Sequence, residues 1–181
     1  MKYFFSCILI ASLFSFSNLE DIYSVSVKNI DGSKVDLGVC RGKKILFVIL
    51  PLFDIDSSLS IADLSGLQAK YSTSLVVIGI PSEESGFKNT DKSRLKSLYK
   101  NQRTNFILTE GMKVKKSNQQ MPLFQWLTNK DKNRHFDQDV QGVGSKFFVD
   151  EVGELYAVMG AKTKLSDPVI DRILSRPLPK K

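Results

Sequence analysis

Sulfur and histidine are scarce in this chain. Of 181 residues, only Cys7 and Cys40 are cysteines and only His135 is a histidine. Two cysteines cannot build a disulfide framework, and a structural zinc site needs several Cys or His ligands. Disulfide scaffolds and the usual zinc modules are therefore excluded. Internal repeats and linkers are absent as well. With 42% hydrophobic and 25% charged residues, the chain is neither disordered nor fibrous. Its length suits one globular domain, or at most two, with a full core.

The first residues read as an export signal. Lys2 is a minimal positive n-region, followed by an apolar stretch from Tyr3 to Phe16 interrupted by Ser6, Ser12 and Ser15. Ser15 and Ser17 suit the −3 and −1 positions of a cleavage site, with Asn18 as mature N-terminus. The stretch is short for a transmembrane span; the alternative is an uncleaved anchor. Cys7 lies inside the apolar run, too early for lipoprotein processing. The expected organisation is a signal peptide over 1–17, a folded domain over 18–175 and a basic tail over 176–181, in a secreted or periplasmic protein. Cys40, alone in an oxidising compartment, is expected to be buried or unreactive.

The net charge of +7 falls to +6 when Lys2 is removed. Much of the excess sits in Lys88, Lys92, Arg94, Lys96, Lys100 and Arg103, followed by Lys113, Lys115 and Lys116. Nucleic acid is excluded as a partner by export and by the lack of interleaved aromatics for stacking. A solvated helix face explains the charge. A surface meeting anionic lipid or envelope polymer is the alternative.

From residue 20 onward strands and helices alternate. Ile22 to Val27 predicts a half-buried strand, Asn29 to Gly32 a turn, and Lys34 to Leu37 the start of a return strand. Lys44 to Leu50 and Leu75 to Ile80 are continuous apolar runs, each stopped by a proline, as in strands buried on both faces. The helical pattern from Leu59 to Tyr71 between them makes a βαβ unit with parallel pairing. A basic helix over Asp91 to Tyr99, a strand near Asn105 to Leu108 and a helical turn opened by Pro122 follow. A hairpin of Phe147 to Asp150 with Glu154 to Met159 comes next, then a helix from Pro168 to Leu174 capped by Ser166 or Asp167.

This order is the plan of an α/β thioredoxin-like fold: a central mixed sheet flanked by helices, with an extra N-terminal β-hairpin. Val27 to Gly32 followed by Gly42 to Leu46 resembles the opening of glutathione peroxidases, as does Tyr71 with Leu75 to Pro81. Met121 to Leu127 is similar to that family's helix before the last strands, and Ser145 to Asp150 with Gly153 to its closing hairpin. The resemblance spans about residues 22–174. It implies hydroperoxide reduction at the expense of a thiol reductant, in response to oxidative stress. The family's nucleophile is a cysteine or selenocysteine at the end of the first parallel strand, oxidised by peroxide and then reduced by thiols. Matched forward from Gly42-Lys43, that position is Asp54; a one-residue slip gives Phe53 or Ile55. The family's glutamine falls on Glu84, and its tryptophan and asparagine on Gly142 and Val143. All four depart from the family pattern, which implies a degenerate, inactive member. Cys40 cannot substitute, because seven strand residues at about 3.3 Å each separate it from the strand's far end. No cofactor is implied.

Other candidates carry weaker signals. Asp54, Asp56, Ser57 and Ser58 with Glu83 and Glu84 form an acidic group that suits a hard cation, a carboxylate-based activity, or simply turn and capping roles. His135 beside Asp137 and Asp139 is a general-base candidate, but no second His or Cys completes a metal site. Gly142-Val143-Gly144 precedes a strand, whereas a phosphate loop follows one. Trp126 with Leu123 and Leu127 reads as core.

Overall fold

The computed structural model describes residues 21–52, 59–101 and 104–177. Strands β1 (Val27–Lys28) and β2 (Lys34–Val35) pair antiparallel across the Asn29–Gly32 turn. Strand β3 (Lys44–Leu50) is buried along its whole length. Helix α1 (Ile61–Lys70) supplies the crossover to β4 (Leu75–Pro81), which lies parallel to β3 in unbroken register from Lys44 opposite Leu75 to Leu50 opposite Pro81. Helix α2 (Lys92–Asn101) leads to the two-residue β5 (Ile107–Leu108), parallel to β4. Helices α3 (Pro122–Thr128) and α4 (Lys130–Asn133) follow. Strands β6 (Lys146–Val149) and β7 (Leu155–Met159) then add antiparallel to the other edge of β3, and α5 (Pro168–Ser175) closes the chain. The five-stranded sheet has the order β5-β4-β3-β6-β7.

Alternation along β3 divides the core into two layers. Ile45, Phe47 and Ile49 meet Leu123, Phe124, Trp126 and Leu127, with Ile22 and Tyr23 of the N-terminal segment. Leu46, Val48 and Leu50 meet Leu64 and Leu67 of α1, Leu95 and Tyr99 of α2, and Ile170 and Leu174 of α5. The hairpin closes the β5 edge: the Ile30 N–H donates to the Leu108 carbonyl and the Glu110 N–H to the Lys28 carbonyl. No helix among the described residues is long and apolar enough to cross a membrane.

The thioredoxin-like plan read from the sequence is the fold observed, with local differences. The segment expected as a strand from Ile22 begins instead as a 3-10 turn, Ile22–Ser24. The Asp21 carboxylate accepts the Tyr23 N–H, and the Ser24 hydroxyl donates to the Asp21 carbonyl. These short-range bonds wind the chain before it can extend. In the same way Asp36 accepts from Gly38 N–H and ends the expected return strand at Val35, leading into a 3-10 turn, Leu37–Cys40. Asp167 occupies the N-cap of α5, yet its carboxylate accepts from Lys164 N–H upstream and makes no bond into the helix. Residues 1–20, which include the expected export segment, lie outside the described residues.

Phe124 is fully buried, edge-on to Phe147 with ring centroids 6.1 Å apart, and joins α3 to the sheet. Phe124→Ala is expected to lower unfolding free energy by about 3–5 kcal/mol, the usual cost of emptying such a site. Equilibrium urea unfolding monitored by Trp126 fluorescence checks this.

Candidate functional site

Ligands in open α/β sheets bind beyond the carboxyl ends of the parallel strands, here the ends of β3 and β4. Past β3, Pro51 and Leu52 are buried, and the Pro51 carbonyl accepts a 3.3 Å hydrogen bond from the Tyr99 hydroxyl of α2. Asp54, and with it Phe53, Ile55, Asp56, Ser57 and Ser58, lies outside the described residues.

Glu84 follows β4 in a short 3-10 turn, Glu83–Ser85, capped by the buried Ser82. Its carboxylate accepts the Val114 N–H at 3.0 and 3.1 Å, the Lys115 N–H at 3.1 Å and the Ser82 hydroxyl at 2.9 Å. Partial burial alone would raise its pKa; the hydrogen bonds from Val114, Lys115 and Ser82 outweigh that and hold it below the ordinary value. Glu84 is thus a clasp on the segment after β5, with its oxygens spent on backbone donors.

The clasp continues around the pole. The Lys116 N–H donates to Asp139, and the chain then reaches the Gly142–Ser145 turn. The Gly144 N–H donates to the Ile49 carbonyl, and the Ile49 N–H to the Ser145 carbonyl, so the turn is stitched to the end of β3. Gly142 at φ 119° and Gly144 at φ 83° hold backbone conformations that L side chains rarely adopt. The structure therefore carries Glu84, Gly142 and Val143 on one hydrogen-bonded rim. Val143 is half-buried against the core.

Lys146, which sequence reading did not single out, sits directly behind this turn. It is fully buried, and its Nζ donates to the Gly144 and Thr163 carbonyls, both at 2.6 Å. Burial pushes its pKa down to about 8, with Asp167 pulling the other way. A lysine opening the apolar stretch Phe147-Phe148-Val149 was the available signal.

The remaining candidates are dispersed. His135 is exposed, with Nε2 3.6 Å from Glu154. Asp137 pairs with Lys116, and Asp139 accepts from Lys116 and Val140 N–H. Among the described residues no group of three His, Cys, Asp or Glu is arranged to hold a metal. Cys40 is buried just before the amino end of β3, and burial raises its thiol pKa despite the opposing charge of Lys43. Such a thiol is a poor nucleophile. On the basic surface, Lys88, Arg94 and Lys96 are exposed, while Lys92 lies 3.6 Å from Glu110. Arg103 lies outside the described residues.

No family model and no curated protein matches the chain. Solved structures do. A protein described as Trgpx in apo form is 19% identical and superposes with a TM-score of 0.62, over 88% of this chain and 99% of its own. GPX1 of T. cruzi is 16% identical at a TM-score of 0.64, over 86% and 94%. A thiol-disulfide isomerase from Corynebacterium glutamicum is 15% identical at 0.60, over 88% and 99%. These likenesses show a thioredoxin-like fold.

Two pH responses follow from this rim. Glu84 has a folded pKa below its unfolded value of 4.5, so its stabilisation is complete above that value and is lost as pH falls through the folded pKa. Glu84→Gln is expected to be less stable than wild type at pH 7, with the gap closing below pH 4.5 in acid-unfolding curves. Lys146 has a folded pKa near 8 against 10.5 unfolded, so the unfolded chain binds more protons between these values. Wild type is therefore expected to gain stability relative to Lys146→Met as pH rises from 8 to 10 in urea titrations.

Proposed function

We propose that the protein is an exported, glutathione-peroxidase-like thioredoxin-fold module that has lost hydroperoxide reduction. One observation carries this reading: the sulfur is in the wrong place. Outside the expected export segment, the chain's one thiol is Cys40, 1% exposed and at the amino end of β3. The positions that would hold the family's chemistry are Asp54, Glu84, Gly142 and Val143. A carboxylate offers no sulfenate-like oxidised state for a thiol to reduce. Glu84 is committed to backbone donors. Hydroperoxide and thiol reductant are accordingly the substrate classes of the fold's redox relatives, no longer turned over here. Export rests on the apolar stretch after Lys2 and places the protein in the periplasm or outside the cell.

A second reading is favoured by the surface. Lys88, Arg94 and Lys96 on and before α2, with Lys28 and Lys34 on the hairpin, are exposed on neighbouring elements that share Ile30 and Leu95 in one core layer. That face suits attachment to anionic lipid or to an anionic envelope polymer.

Peroxide consumption by the purified protein, with glutathione or thioredoxin as reductant, is expected to equal the protein-free blank. Turnover that disappears in Cys40→Ser overturns the reading. In the same preparation, binding to phosphatidylglycerol vesicles that weakens from low to high salt supports the basic-surface role; salt-independent binding or none removes it.

A further inference from the structure

The sheet has two edges, and the chain covers one of them. At β5 the N-terminal hairpin closes the edge with its own backbone hydrogen bonds. β7 is the last strand at the other edge, and among the described residues no hydrogen bond reaches the outer side of Leu155–Met159. Proteins commonly blunt an open edge with charge or proline. Leu155-Tyr156-Ala157-Val158-Met159 contains neither. Its one irregularity faces β6, where Tyr156 is the extra residue between the Val149–Leu155 and Phe148–Ala157 pairs. Ala157 to Met159 remain regular, and an unpaired regular strand is a template for another strand.

The surroundings of the edge say which strand fits. Beside it, Tyr156, Ala157, Val169, Arg172, Ile173 and Arg176 line a groove of about 210 Å³ between β7 and α5. Tyr156, Met159, Val169 and Ile173 are half-buried on this face, whereas Val158 packs in the other core layer. Charge differs at the two ends of the strand. Glu154, its carboxylate 58% exposed beside His135, precedes β7, and Lys162, exposed and in no ion pair among the described residues, follows it. A strand acidic before and basic after is complementary to its own antiparallel copy.

Two-fold symmetry about an axis normal to the sheet lays two such strands antiparallel and keeps each face on its own side. With Val158 on the axis, Glu154 of each copy faces Lys162 of the other, and Met159 of each faces Ala157 of the other. Facing side chains in a ladder start about 5 Å apart, so the flexible thioether of Met159 reaches the groove over the small Ala157. A cavity of about 150 Å³ accommodates the six carbons of benzene, and the groove is larger than that. Moving the axis to Ala157 sets Glu154 against Gly160, and moving it to Met159 takes the thioether away from Ala157. Charge and shape therefore select the same register.

We infer that the protein dimerises through β7, two copies pairing antiparallel about Val158 into one continuous ten-stranded sheet, with Met159 of each copy in the β7–α5 groove of the other. The inference rests on neither functional reading, because this edge shares no residue with the rim or with the basic face.

Sedimentation equilibrium of the purified full chain from ~1 μM to ~1 mM is expected to show a reversible dimer. Glu154→Lys and Lys162→Glu, both at exposed positions, each replace attraction by repulsion at two symmetric sites. Each is expected to raise the dimer dissociation constant at least ~10-fold, about 1.4 kcal/mol, and the double exchange is expected to restore it. Met159→Ala, which empties the groove, is expected to weaken the dimer as well. A monomer throughout the range, which would leave the edge to a different occupant, overturns the inference. So does a dimer that any of the three single variants leaves unchanged, or one that the double exchange fails to restore.

Discussion

Everything in this structure is measured from β3. Seven buried residues pair with β4 on one edge and four of them, Ile45 to Val48, with β6 on the other, and successive apolar side chains enter opposite core layers. A slip of one residue would turn both layers inside out, so the register is fixed by the core itself. The two ends of the strand inherit that precision. At one end Ile49 exchanges backbone hydrogen bonds with the Gly144–Ser145 turn, and at the other Lys44 delivers its ammonium group to Glu151.

Polar groups finish what apolar packing begins. Glu84, Lys44 and Lys146 each tie segments far apart in the chain: Glu84 to residues 114 and 115, Lys44 to Glu151 and Arg176, Lys146 to Thr163. Removing charges from water is expensive, and such contacts are retained where their hydrogen bonds are nearly complete. Lys146 illustrates the compromise. Its two carbonyl acceptors are served equally well by a neutral amine, which has two N–H groups to give. Glu151 is the exception, with one oxygen bonded and the other buried without a hydrogen-bond partner among the described residues.

The sheet was legible because its signals are strong and local. The apolar runs at 44–50 and 75–80 have few alternatives to doubly covered strands, and Pro122 opens α3 where a first-turn proline belongs. The N-terminal segment misled because Asp21 and Asp36 redirect the backbone through bonds spanning two residues, which period-two alternation does not register. β1, β2 and β5 are two-residue strands that exist through their pairings. The site was legible only as positions. Matching named Asp54, Glu84, Gly142 and Val143; Asp54 lies outside the described residues, and the clasp of Glu84 on Val114 spans thirty residues and has no sequence signature.

The stitching of Ile49 to Gly144 and Ser145 is made entirely of main-chain atoms. Architecture at the end of β3 is thereby uncoupled from the identity of the side chains beside it, which makes this strand terminus a tolerant host for grafting a designed reactive group.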